Sequence, residues 1–235
     1  MPPKPRACRA RVGAAVRTIA TDVLEADLDM EDPVELEFDA GQWISVPFGP
    51  KNVRAYSIAS SPRSSRRITL SADVEPGGIG SVWFRGLTPG QTVEFKAPFG
   101  GFVFQRADPR PPIFVAEEIG VVPIRAILTE LEERGAMRST TLVYWARDPA
   151  HMPYHDEFAA RARRDPEFAY HPVVTTGDDR WTGRRGTAAE RVASVVADAG
   201  VIAYVCGGGQ MIDDVRSVLM GRGLDRKSVK WEKFW

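Results

Sequence analysis

Cysteine is scarce in these 235 residues: there are two, Cys8 and Cys206, far apart and in unrelated surroundings. That excludes a disulfide framework, and it excludes an iron–sulfur cluster ligated by cysteines of this chain alone. A reducing compartment suits such a chain. Histidine is nearly as scarce, with only His151, His155 and His171. His151 and His155 have ligand-like spacing, but Pro153 lies between them and no third ligand is evident, so no metal is expected. Excess charge of either sign is missing, because 31 Lys and Arg balance 31 Asp and Glu. No broad cationic field results, which removes nucleic acid as an expected partner. No apolar run reaches transmembrane length. The opening Met1-Pro2-Pro3-Lys4-Pro5-Arg6 lacks the apolar core of a signal peptide. The expectation is a cytoplasmic protein without membrane insertion, with residues 1–11 as a disordered start. A G-x-S-x-G nucleophile motif is absent, and Gly207-Gly208-Gly209 lacks the Lys of a phosphate-binding P-loop. There are no repeats.

What is there has the ordinary balance of a soluble chain, 43% hydrophobic and 26% charged, with length enough for two modest domains. Residues 12–107 read as short strands between turns. Val34 to Phe38 alternates, Trp43 to Phe48 follows Gly41-Gln42, Ile68 to Val74 follows a Ser-Pro-Arg turn, and Thr92 to Lys96 follows Pro89-Gly90. Helical periodicity is nearly absent there, which predicts a small antiparallel β-barrel. Asp108-Pro109-Arg110-Pro111-Pro112 suits neither helix nor central strand and reads as a linker at 108–112. Over 113–235 strands and helices alternate, which predicts a parallel sheet with crossovers. Ile124, Ile127, Leu128 and Leu131 mark one helix that Gly135 ends. Thr187 and Glu190 form a capping box for another, with Val192, Val195, Val196 and Ala199 inward. Met211, Val215, Val218 and Leu219 line a third.

The most informative stretch is Arg54-Ala55-Tyr56-Ser57. On a strand, Arg54 and Tyr56 share one face and Ser57 turns to the other. Arg54 can fork onto a pyrophosphate, Tyr56 can lie along a ring system, and Ser57 can donate to a ring nitrogen. The same residues also suit a half-buried strand with one outward arginine. Downstream, Gly77-Gly78-Ile79-Gly80-Ser81 lets backbone amides approach an anion at a helix start, although such a cluster is often only a turn. Ala116-Glu117-Glu118-Ile119-Gly120-Val121-Val122-Pro123 places a tight loop between strand and helix, the form of a dinucleotide site. Tyr204-Val205-Cys206-Gly207-Gly208-Gly209-Gln210-Met211 ends a strand on a Cys and three glycines before a helix. The last residues, Lys230-Trp231-Glu232-Lys233-Phe234-Trp235, make an aromatic terminal strand.

In order and spacing these motifs resemble the ferredoxin–NADP(+) reductase superfamily, above all its bacterial oxygenase-reductase branch, from about Gly41 to Trp235. The resemblance implies two domains: an antiparallel Greek-key β-barrel for the flavin, and an α/β parallel-sheet dinucleotide-binding domain. It implies FAD, with FMN the lesser alternative, held by Arg54, Tyr56, Ser57, Gly78, Ile79, Gly80 and Ser81. Relatives commonly carry a basic residue where this chain has Ala72-Asp73. Pro98-Phe99-Gly100-Gly101-Phe102 resembles the P-x-G-x-F that ends the family's flavin barrel. NADH or NADPH would meet Gly120, Pro123, Thr175, Thr176, Cys206, Gly207, Gly208 and Met211. Phe234 and Trp235 would cover the flavin, and Ser57, Cys206 and Glu232 would surround the reacting atoms. Where relatives have A-G-G-T-G, this chain has Glu117, Glu118 and Ile119, which remove small residues and a hydroxyl and add negative charge. In the stretch Thr175 to Gly186, which includes Asp178, Asp179, Arg180, Arg184 and Arg185, Gly177 stands where phosphate-specific relatives carry Arg, which favours NADH. The implied activity is hydride transfer from NAD(P)H to FAD and onward to a separate acceptor protein, a ferredoxin or similar. A flavin-binding electron-transfer or regulatory subunit that does not use pyridine nucleotide is the alternative.

Overall fold

The computed structural model describes residues 4–177 and 180–234. The chain divides into two compact units, Met1–Phe104 with Val122–Arg134, and Gln105–Val121 with Gly135–Trp235.

Alternation builds the first unit. Strand β1 (Arg6–Val12) buries Cys8, Ala10 and Val12 and turns Arg9 and Arg11 outward, where both pair with Glu31. There follow β2 (Arg17–Ala20), β3 (Val23–Asp32), β4 (Trp43–Pro47), β5 (Val53–Ser57), β6 (Arg67–Asp73), helix α1 (Ile79–Arg85) and β7 (Thr92–Phe99). All pairings are antiparallel, in the order β2-β3-β1-β7-β4-β5, with β6 on β3. An Ile58–Leu70 bridge then joins the end of β5 to β6 and closes the sheet into the expected barrel. Its interior holds Leu28, Ile44, Ile58, Ile68, Leu70 and Phe84, all fully buried.

Two expectations fail here. The start is not disordered from Lys4 onward: β1 lies between β3 and β7, its inward side chains part of the core. Residues Met1, Pro2 and Pro3 lie outside the described residues. Val34 to Phe38 makes no strand ladder. Leu36 and Phe38 are buried from a loop, Val34 is 59% exposed, and the Leu36 N–H is satisfied by the Ser65 carbonyl at 2.8 Å.

Pro112, expected in the linker, is buried and opens the central strand β8 (Pro112–Glu117), in register with Ile202; then come α2 (Val121–Glu133), β9 (Thr140–Ala146), α3 (His155–Arg164), β10 (Phe168–Val174), β11 (Arg184–Arg185), α4 (Ala188–Val195), β12 (Ile202–Gly207), α5 (Gly209–Gly221) and β13 (Val229–Lys233). The strands form one parallel sheet in the order β11-β10-β9-β8-β12-β13. The apolar runs of β8 and β12 are buried nearly throughout, as central parallel strands require. The predicted capping box on α4 is present in both halves. Ala199, expected inward, lies beyond that helix and is exposed. Helix α2 buries Ile124, Ile127, Leu128 and Leu131 as its periodicity requires, yet it groups with the first unit. Arg125 donates to the Ala59 carbonyl at 2.9 Å, and the Ser61 hydroxyl donates to Glu133 at 2.5 Å. Among the described residues, no helix is long and apolar enough to cross a membrane.

Candidate functional site

In the first unit the site starts from β5. Arg54 and Tyr56, two apart on one face, both meet Gly80 of α1. The Tyr56 phenol donates to the Gly80 carbonyl at 3.3 Å. A Cβ on Gly80 would lie 2.7 Å from the phenol oxygen and 3.1 Å from Arg54 Cγ, so the close approach of α1 to β5 requires glycine. The Trp83 and Phe84 rings, centred 5.3 and 5.6 Å away, hold the Tyr56 ring. Burial, partly opposed by Arg54, pushes the phenol up to about 12, so it remains a neutral donor.

The start of α1 is open. Gly78 caps it without a side-chain bond, and Gly77, Gly78 and Ile79 are exposed, while Ser81 is buried. Its first N–H groups are therefore available to an anion. The exposed guanidinium of Arg54 donates to the Val53 carbonyl at 2.8 Å. Ser57 is buried at the end of β5, in register with Trp43. Trp43 in turn stacks on Phe99 at 4.9 Å, and the Gln42 amide donates to the Gly100 carbonyl at 3.2 Å. An arginine beside an uncapped, glycine-opened helix start is a fit for a dinucleotide pyrophosphate.

In the second unit, the chain runs outward from β8 to β11 and returns to β12 on the other side of β8. The strand order reverses between β8 and β12, and in such sheets ligands bind outside the carboxyl ends at that point. Those ends are Glu117-Glu118 and Cys206-Gly207-Gly208. Gly120 presses on Cys206 so closely that a Cβ would lie 2.4 Å from the Cys206 carbonyl oxygen. Glu118 has φ +43°, a left-handed conformation that favours glycine. It is held there by Arg147, whose backbone N–H donates to the Glu118 carboxylate at 3.1 Å and whose guanidinium lies 3.4 Å from it. The Tyr144 hydroxyl, donating to the Glu118 carbonyl at 3.1 Å, fixes the backbone. Glu117 goes the other way and accepts the Gly208 N–H at 2.5 Å. Burial pushes Glu117 up, the Gly208 bond opposes the rise, and the Glu118 charge adds to it.

Cys206 is fully buried, in register with Glu232 on β13. Burial, with Glu232 and Glu117 nearby, pushes its thiol well above the usual range, so it is a neutral thiol. Burial also pushes the Glu232 carboxyl up to about 7. The Phe234 N–H donates to the Gly207 carbonyl at 3.1 Å, and Met211 is buried in the first turn of α5. Gly120, Cys206, Gly207, Gly208, Met211, Glu232 and Phe234 thus converge at one end of the sheet. Thr175 and Thr176 stand at the end of β10; the Thr176 hydroxyl donates to the Arg147 carbonyl at 2.9 Å. Thr176, Asp148, Gly177, Arg180 and Trp181 line a cavity of about 580 Å³. Pro123 sits in the first turn of α2, where its missing N–H costs nothing. His151 pairs with Asp148 at 2.7 Å and His155 with Tyr170 at 2.8 Å. Asp178, Asp179 and Trp235 lie outside the described residues. Glu117 stands where the sequence marks a departure from the small residue of related motifs, and Arg147 enters the site with no signal in the sequence.

A barrel with an arginine beside an open helix start, followed by a parallel sheet with a crevice at its switch point, fits an FAD-dependent NAD(P)H oxidoreductase. Residues 14–104 match the oxidoreductase FAD-binding domain family and residues 114–217 the oxidoreductase NAD-binding domain family. The chain is 32% identical over 231 residues to ferredoxin–NADP reductase B of Sorangium cellulosum (strain So ce56), covering 94% of this chain and 95% of that protein. It is 29% identical to the phenol hydroxylase P5 protein of Acinetobacter pittii (strain PHEA-2), covering 93% of this chain and 63% of that one. Among solved structures, the cytochrome P450 reductase GcoB of Amycolatopsis superposes with a TM-score of 0.88 at 26% identity, covering all of this chain and 71% of that one. This chain belongs to the ferredoxin–NADP(+) reductase superfamily.

Proposed function

We propose that this chain takes hydride from NADH or NADPH onto FAD and passes the electrons to a separate redox protein, such as a ferredoxin or an oxygenase component. The observation that carries the reading is the presence, in one chain, of the Arg54–Tyr56–Gly80 cradle and a sheet whose switch point ends in Cys206-Gly207-Gly208. Bound FAD supplies chemistry that no side chain has, since it exchanges both hydride and single electrons. The side chains bind, orient and handle protons. Arg54 and the amides from Gly78 to Ser81 would neutralise the pyrophosphate, Tyr56 would pack beside the group, and Ser57 would offer it a donor. Gly120 lets the turn after β8 pack on Cys206 and Gly207, Gly208 opens α5 toward the nucleotide, and Thr175 and Thr176 serve its far half. Cys206, a neutral thiol, is packing surface and weak donor rather than nucleophile. Glu232, with its carboxyl near 7, can hold or release a proton at working pH.

The Glu117 carboxylate on the Gly208 N–H favours a second reading, a flavin-binding subunit that does not use pyridine nucleotide. Anaerobic rapid mixing of the FAD-loaded protein with NADH and with NADPH separates the two. Flavin bleaching within seconds is expected. Its absence with both nucleotides refutes the first reading and favours the second.

A further inference from the structure

Resting on the nucleotide reading above, we infer that Glu117 is a built-in competitor of the nucleotide: in the free protein its carboxylate occupies the Gly208 N–H at the mouth of the β8–β12 crevice, and the nucleotide must displace it.

Three features support this. The bond is short and charge-assisted, 2.5 Å from Glu117 Oε2 to the Gly208 nitrogen, and the strong hydrogen bonds of proteins are of this kind. The side chain also lies flat over the glycine surface that a ligand would use. A Cβ on Gly207 would be 2.5 Å from Glu117 Cβ and 2.8 Å from Glu117 Oε2. Finally, Gly208 is the N-cap of the 13-residue helix α5 and has no side-chain cap of its own. Glu117 therefore supplies the anion at a helix start where a nucleotide phosphate or carboxamide oxygen would otherwise bond.

The neighbouring Glu118 does something else. Its carboxylate is bound to Arg147, and its φ of +43° aims it away from Gly208. One carboxylate of the pair obstructs, and the other shapes the turn. Glu118→Gly removes a side chain at a glycine-favouring φ and leaves the Glu117–Gly208 bond in place.

The test uses the FAD-loaded protein and the dissociation constants of NAD⁺ and NADP⁺ by calorimetry, for wild type, Glu117→Gly, Glu117→Gln and Glu118→Gly. Because a hydrogen bond to a charged group must be broken for entry, Glu117→Gly is expected to tighten binding on the order of tenfold. Glu117→Gln keeps the length and an acceptor but loses the charge, so it tightens binding severalfold. It also carries the test if the glycine variant fails to fold. Glu118→Gly removes a charge paired with Arg147 but no bond to Gly208, so it is expected to tighten binding less than Glu117→Gly does. Unchanged or weaker binding in both Glu117 variants overturns the inference, as does equal tightening by Glu118→Gly. If neither wild type nor any variant binds nucleotide, and neither NADH nor NADPH bleaches the flavin, the functional reading falls and the competitor with it. Bleaching in wild type with no tightening in the Glu117 variants removes the competitor alone.

Discussion

Glu232 should make the stability of this protein fall as pH rises through weak acid. The residue is half-buried on β13, in register with Cys206, and burial alone pushes its carboxyl from an ordinary 4.5 to about 7. A carboxyl with a raised value in the folded state binds its proton more tightly there than in the unfolded chain. Stability from this group is therefore fully present below 4.5. It declines as pH rises from 4.5 to about 7, where the unfolded chain has ionised and the folded one has not, and it is flat above that. Each tenfold in proton affinity corresponds to about 1.4 kcal/mol, so the whole interval is worth about 3 kcal/mol as an upper bound. Glu232→Gln removes the titration and keeps the shape. Urea denaturation of wild type and variant from pH 4 to 8 isolates the group by difference. The variant should gain up to about 3 kcal/mol relative to wild type between the two ends. A difference flat across that interval, or a Glu232 carboxyl-carbon resonance titrating near 4.5, refutes the assignment.

Other residues give sharper binary outcomes. Arg54→Ala should weaken FAD binding by at least about tenfold, because a charge-assisted contact to the pyrophosphate is lost, with little change in folding. Equilibrium dialysis showing wild-type affinity would remove Arg54 from the cradle. Gly80→Ala puts a methyl 2.7 Å from the Tyr56 oxygen. It should cost roughly 1–3 kcal/mol of stability through overpacking and lower the FAD content of purified protein. Full occupancy at unchanged melting temperature would contradict that contact. Thr187→Ala breaks the capping box of α4 and should cost about 1 kcal/mol without altering the nucleotide dissociation constant. A shift in that constant would show that α4 reaches the site.

What the sequence could show was what adjacent residues decide among themselves. The capping box of α4 needs only Thr187 and Glu190, three positions apart. The i, i+3, i+4 pattern of α2 and the alternation on β5 are equally local, and with the glycine-rich turns they mark the barrel, the parallel sheet and both glycine-rich motifs. β1 was hard to see because its inward residues, Cys8, Ala10 and Val12, are small, and its outward arginines find Glu31 only after the chain has turned back. Val34 to Phe38 alternates like a strand, but alternation states only which residues turn inward; a partner backbone decides whether a ladder forms.

The two glutamates mark the limit most clearly. That Glu117 and Glu118 depart from the small residues of related motifs is written in the sequence. Which of them blocks the crevice is not. Gly208, 91 residues further along, offers Glu117 an N–H, and Arg147, 29 residues further along, holds Glu118. Likewise, Cys206 lies beside Glu232 only because β12 and β13 pair in parallel in that register. The sequence by itself determined which chemical groups this protein carries and the local forms that present them. Only the tertiary structure decided which groups meet, because hydrogen bonds and desolvation depend on distance in space and not on separation along the chain.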